Sequence, residues 1–335
     1  MTNREAYLTV LKGGTPDSVP CFFSHAQLNI APPLGDAPFL PPGGTGDYDG
    51  YGCFQTATES AGGMTTPDPA YPPPISDITK WKEQAVFPDF THIDWAGVAA
   101  QMGGFMHWDR ENFVQDFYCP NGIFERLHFS LGMENAMVAL LEEPEAVYDY
   151  VSAVTDKKIE AIRIAAKYFK PDVFTYLDDY SHVNGLFISP DTYRQIFKPH
   201  HKRIVDAVKE TGMIFKQHCC GKFQDLFEDF YEIGIRAFDP CQPVNDIVEL
   251  KNRHPGEVAF IGGLDIQNVI DRPGATEEEL RAEVRRCIDT YAPGGGYAVF
   301  GTTLDLYNPA ALAPDQKLGI IMDECMSYGK DFYKK

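Results

Sequence analysis

Basic charge is scarce in this 335-residue chain: 29 lysines and arginines face 48 aspartates and glutamates, for a formal net charge of −19. A surface of that sign repels phosphate backbones and anionic headgroups, which counts against nucleic acid and membrane surfaces as partners. Long hydrophobic runs are missing as well. No stretch of roughly 18 apolar residues occurs, and Met1-Thr2-Asn3-Arg4-Glu5 carries no basic segment followed by an apolar run, so a cytoplasmic protein is expected. The eight cysteines lack the tight, regular spacing of a secreted disulfide scaffold, and reduced thiols are the expectation. No glycine fingerprint for a dinucleotide follows the first apolar run, which weighs against an open doubly wound sheet without excluding it.

What is present suits a large core: 44 % of residues are hydrophobic and 23 % charged, an ordinary globular balance. Residues 1 to 120 are rich in Pro and Gly, as in Pro41-Pro42-Gly43-Gly44 and Pro72-Pro73-Pro74, and such a stretch predicts long loops and a lid. From 121 onward, apolar runs alternate with amphipathic helices. A helix begins at Pro144 and ends before Pro171, with Val147, Val151, Val154, Ile159 and Ile162 at helical spacing. Val173–Leu177 follows as a buried strand. Ser189 caps the next helix, which Pro199 is expected to break before Gly212. Strands are predicted over Met213–His218, Ile235–Phe238, Val258–Ile261 and Tyr297–Phe300, with Thr276 and Glu279 forming a capping box for the helix that carries Leu280, Val284, Cys287 and Ile288. Five strand-helix units with short connections, plus strands near Val19–Phe23 and Ile123–Leu131, predict one α/β domain over residues 1–335. Its expected form is a (β/α)8 TIM barrel with an extended, loop-rich N-terminal segment.

In such a barrel the chemistry sits where strands end. The polar residues closing the apolar runs are His25, Asp178, Asp179, His218 with Cys219 and Cys220, Asp239 with Cys241 and Gln242, Asp265, and Thr302 with Thr303. Alternation along a strand puts His218 and Cys220 on one face and Cys219 on the other, and pairs Asp239 with Cys241. Parallel neighbours about 4.8 Å apart bring both pairs within reach of one cation. Imidazole and thiolate suit Zn2+, and three protein ligands leave a position open for substrate. Ordinary packing also accounts for a His beside two Cys, since free Cys is among the most buried residue types. The candidate metal ligands are thus His218, Cys220, Cys241 and Asp239. Asp178, Asp179 and His25 are the candidate catalytic groups; either aspartate could instead ligate the metal or orient His218, and helix capping or a solvent-facing role accounts for at least one of them. Gln242, Asp265 and Thr302 are the candidate substrate contacts. Cys21, Cys53, Cys119, Cys287 and Cys325 have no such company and are read as structural.

The runs Gln217-His218-Cys219-Cys220-Gly221, Phe238-Asp239-Pro240-Cys241-Gln242-Pro243, Phe260-Ile261-Gly262-Gly263-Leu264-Asp265 and Gly294-Gly295-Gly296-Tyr297 resemble the uroporphyrinogen decarboxylase superfamily. Thr15-Pro16-Asp17-Ser18-Val19-Pro20 and Ile78-Thr79-Lys80-Trp81-Lys82 extend the likeness toward the N-terminus. The similarity is closest to its corrinoid-dependent methyltransferases, including the substrate-side component of anaerobic O-demethylase systems. The resemblance implies a (β/α)8 barrel. True uroporphyrinogen decarboxylases carry an arginine-rich N-terminal motif that grips substrate carboxylates, whereas no arginine lies between Arg4 and Arg110 here. That argues against tetrapyrrole decarboxylation. The methyltransferases bind zinc through a His-x-Cys pair and a distant Cys on the last strand. His218 and Cys220 match the pair, but Phe300-Gly301-Thr302-Thr303 stands where the distant Cys is expected. Cys241, Asp239 and Asp178, in that order, are the substitutes.

The resemblance implies transfer of a methyl group between a small methylated substrate, for which the N-terminal aromatics suggest an aryl methyl ether, and a corrinoid. No Asp-x-His-x-x-Gly segment is present to grip that cofactor, so the corrinoid is expected on a separate protein. A homodimer is left open, as is the direction of transfer. Two other readings are a metal-independent decarboxylase of a small carboxylic acid and a non-enzymatic barrel whose His-Cys-Cys segment is structural.

Overall fold

The computed structural model describes residues 1–31, 34–38, 40, 44–57, 64–301 and 310–334. Seven parallel strands form one sheet, hydrogen-bonded in chain order: Ala26–Asn29, Val114–Cys119, Val173–Leu177, Ile214–His218, Ala237–Asp239, Ala259–Gly263 and Tyr297–Phe300. The last strand returns to the beginning. Val299 N–H donates to the Pro20 carbonyl at 2.9 Å, and Cys21 forms a parallel bridge to Val299. From Cys21 a single helical turn, Phe22–His25, leads into the first strand. The sheet is therefore curled, and the architecture is α/β and TIM-barrel-like.

Alternation divides the apolar residues between two cores. Val114, Val173, Ala237, Ala259, Ile261 and Ala298 point inward and pack together with Tyr7, Val10 and Leu11 of the helix Asn3–Leu11. Phe117, Phe174, Tyr176, Phe215, Phe238 and Phe260 point outward into the helical layer, each contributing roughly 1.5–3 kcal/mol by burial. The helix Asn3–Leu11 closes the amino end of the barrel. Its Arg4 donates to the Phe113 carbonyl at 3.1 Å, and Gly296 N–H donates to the Gly14 carbonyl at 2.8 Å.

Several local signals act as expected. Thr276 and Glu279 form a capping box for the helix Glu277–Tyr291, whose Leu280, Val284, Cys287 and Ile288 are buried. Ser189 caps the helix that starts at Pro190. The expected break at Pro199 takes the form of a π-helical stretch over Tyr193–Phe197, which absorbs the missing N–H without ending the helical run.

Two strand expectations fail. Ile123–Leu131 is an α-helix, because Ile123, Leu127 and Leu131 recur at helical spacing and a distant carboxylate, Asp178, accepts the free N–H groups of Phe124 and Glu125 at 3.0 Å each. The strand expected there is Val114–Cys119, inside the supposed loop region. In Val19–Phe23 only Cys21 pairs, and the true strand begins at Ala26. Residues 1–120 also hold more regular structure than expected. They include the helix Trp95–Phe105 and an antiparallel sheet of Gly46–Tyr48, Phe54–Ala57 and Thr65–Pro67. Buried ion pairs pin that part to the barrel helices: Arg126 meets Asp49 at 2.6 Å, and Lys158 meets Asp36. Among the described residues no helix is long and apolar enough to cross a membrane.

Candidate metal centre

At the carboxyl end of the sheet His218 lies beside Leu177 on one side and Asp239 on the other. It has the inward parity of Lys216, so its imidazole is presented at the mouth. Asp239 Oδ1 lies 2.9 Å from His218 Nδ1, while Nε2 lies 3.4 Å from Cys220 Sγ. The loop after Leu177 supplies a carboxylate: Asp179 Oδ1 accepts the Cys220 N–H at 2.7 Å. One ligand atom each from Asp179, His218 and Cys220 lie within 4.8 Å of one another.

The electrostatics of this group are one-sided. Burial works to raise the Asp239 carboxyl, but Lys216 and His218 outweigh it and hold it down at about 2. An ionised Asp239 accepts a hydrogen bond, so His218 carries its proton on Nδ1 and turns the lone pair of Nε2 toward Cys220. Burial would lower the His218 imidazole, and Asp239 more than offsets it, leaving it raised. Around Cys220, by contrast, negative charge is uncompensated. Burial, Asp179, Cys219 and Glu125 all push its thiol up. Burial, then Asp179 and Asp178, push Glu125 well above the usual carboxylate range. Lys158, the cation acting on Glu125, is committed to Asp36 and to the carbonyls of Pro120 and Asn121. A divalent cation fits such a set, because it neutralises a thiolate and a carboxylate and accepts an imidazole nitrogen.

The structure sorts the sequence candidates. It brings His218 and Cys220 together, and it places Asp239 behind the imidazole, on the nitrogen facing away from Cys220. Cys241 does not join them. The strand ends at Asp239, so alternation does not carry further. Cys241 has a backbone φ of 44° and is fully buried, with Sγ donating to the Phe238 carbonyl at 3.1 Å. Asp178 is the helix cap already described, and burial lifts its carboxyl to about 7. His25 is buried with Nδ1 2.9 Å from the Cys21 carbonyl, and burial lowers it to about 4. Gln242 accepts the Gly221 N–H at 2.5 Å, which braces the turn after Cys220. Asp265 caps the helical turn Ile266–Ile270 through the Asn268 N–H at 3.0 Å. Thr302 and Thr303 lie outside the described residues.

Gly262 is needed for packing: at φ 142° it lets the Pro240 carbonyl approach to where a Cβ would sit, 1.6 Å away. Sequence reasoning weighed Asp179 as a metal ligand among other roles but named Cys241, Asp239 and Asp178 for the third position, and it missed Glu125, which lies on a helix read as a strand. Of the N-terminal aromatics, Phe22 packs in the barrel interior against Phe300 at 4.8 Å, Tyr51 lies under the Arg126 guanidinium at 4.2 Å, and Phe54 stacks on Tyr71 at 3.8 Å.

The chain matches a methyltransferase from Methanosarcina mazei over 100 % of both chains, with 14 % identity and a TM-score of 0.65, a likeness of fold. A sugar phosphate isomerase/epimerase from Parabacteroides distasonis covers 73 % of this chain and 78 % of its own, at 9 % identity and a TM-score of 0.37. No curated protein matches the sequence. The family model for uroporphyrinogen decarboxylase (URO-D) matches residues 127–302, more than half of the 335-residue chain and a span that contains Asp179, His218, Cys220 and Asp239. The chain belongs to the uroporphyrinogen decarboxylase family.

Proposed function

We propose that the protein is a zinc-dependent methyltransferase that moves a methyl group between a small methylated substrate and the cobalt of a separate corrinoid protein. The observation that carries this reading is the convergence of Asp179, His218 and Cys220 at the carboxyl end of the strands, with donor atoms within 4.8 Å of one another. These three side chains would hold the metal, an oxygen, nitrogen and sulfur donor set that leaves a fourth position for substrate. Bound zinc supplies Lewis acidity, which stabilises the negative charge developing on the oxygen, nitrogen or sulfur that loses the methyl group. Asp239 orients His218 by accepting from Nδ1 at 2.9 Å, so that Nε2 is the ligand atom. The Cys220 N–H donates to Asp179 at 2.7 Å and holds the carboxylate beside the thiol. Burial, then Asp179 and Asp178, raise the Glu125 carboxyl beside this group.

Family membership and the M. mazei methyltransferase fold support a methyltransferase. The substrate class to test first is the aryl methyl ether, with the corrinoid on a docked partner and the whole chain working as one barrel unit. A panel of methoxylated aromatics, incubated with the protein and a Co(I) corrinoid protein, should give methyl-cobalt spectra that a chelator abolishes. Absence of transfer from every substrate would count against the methyl-transfer reading. Release of carbon dioxide from a small acid, unaffected by chelation, would establish the decarboxylase alternative instead.

A further inference from the structure

Directly behind His218 the barrel interior holds an ion chain that packing does not require. Lys216 Nζ lies 2.7 Å from Asp116 Oδ2 and 2.8 Å from Asp239 Oδ2, and all three side chains are fully buried. Thr175 donates to the other oxygen of Asp116, and Tyr118 donates to Asp239 Oδ2 at 3.1 Å. The ammonium also sits 5.0 Å from the centre of the Phe22 ring and 5.2 Å from that of Tyr118. Burying a lysine between two aspartates is expensive, and well-packed apolar residues often serve stability as well or better. The chain ends one hydrogen bond from the proposed centre, at the Asp239 Oδ1 that holds His218 Nδ1.

The geometry points to Lys216, fixed by Asp116, as the positioning residue of the metal centre: it clamps Asp239 so that His218 can present only Nε2 toward Cys220 and Asp179. Lys216 and Tyr118 saturate Oδ2 and stop the carboxylate turning. Among the described residues Oδ1 is left to the imidazole. This inference rests on the metal reading proposed above and deepens it.

Three properties are measured on the whole chain: the zinc dissociation constant, by competition with a chromophoric chelator, the visible spectrum of the Co2+-loaded protein, and the melting temperature. The variants are Lys216→Met, Lys216→Met with Asp116→Asn, which removes one charge of each sign, and Val173→Ala as a control for loss of interior packing. Both Lys216 variants should bind zinc about 10–100-fold more weakly, the usual effect of losing an outer partner of a ligating histidine, and should shift the Co2+ bands. Val173→Ala should melt earlier yet keep the wild-type affinity and spectrum. Should the Lys216 variants fail to fold, Tyr118→Phe removes one hydrogen bond to Asp239 and no charge, and should weaken zinc binding in the same direction by a smaller factor. Variants with lowered melting temperature but wild-type affinity and spectrum would show that the chain is structural and overturn the inference. A wild-type chain that binds neither metal would overturn the metal reading and this inference with it.

Discussion

Asp178 and Asp179 are adjacent in sequence and do different work. Asp178 turns back to cap the helix Ile123–Leu131, and burial lifts its carboxyl to about 7. Between the unfolded carboxyl range and that value the folded protein keeps a proton that the unfolded chain has lost. Asp178 therefore subtracts stability as pH rises toward 7. Asp178→Asn keeps an oxygen for the cap and removes the ionisation. Melting temperatures of metal-free protein between about pH 5.5 and 7.5 should fall less steeply with pH for this variant than for wild type; parallel curves would contradict the assignment. Asp179 instead faces Cys220. Period-two alternation made the pairing of His218 with Cys220 legible in the sequence, because both belong to one strand and its immediate extension. It favoured Cys241 over Asp179 as third donor, since it could not foresee that the backbone leaves the extended region there, at φ 44°. Nor does alternation describe the loop that swings Asp179 onto the neighbouring strand's end.

The helix Ile123–Leu131 shows the same division one level up. Its amphipathic spacing is in the sequence, yet its cap comes from residue 178, and a short apolar run without a local cap reads equally well as a strand. Its Arg126 is also the anchor of the antiparallel sheet in residues 46–67, through Asp49 at 2.6 Å and the Asp36 carbonyl at 2.9 Å. Those partners lie 77 and 90 positions apart in the chain, so composition alone suggested loops where the structure has a clamped element. Arg126→Met leaves Asp49 buried without its cation and should cost about 3–5 kcal/mol in urea unfolding. Adding Asp49→Asn should recover part of that loss. Equal stability of all three proteins would mean that the clamp does not hold the N-terminal region.

At the scale of the whole molecule, the repeated strand-helix pattern from Pro144 to Phe300 was enough to read an α/β barrel-like fold, because each apolar run needs cover on its outer face. The curl was less legible. It rests on Cys21 bridging Val299 and on the helix Asn3–Leu11 filling the amino end with Tyr7, Val10 and Leu11. At the opposite, carboxyl end His218 stands with an ion chain beneath it and two acidic groups and a thiol around it. The chemistry depends on a resident cation at His218, Cys220 and Asp179, and metal content measures it. Purified protein, reconstituted with zinc and desalted, should retain about one equivalent per chain. The His218→Ala, Cys220→Ala double variant, folded by circular dichroism, should retain none, and Asp179→Asn should hold it weakly. Wild-type protein without bound zinc, or a double variant that keeps the full equivalent, would contradict the account.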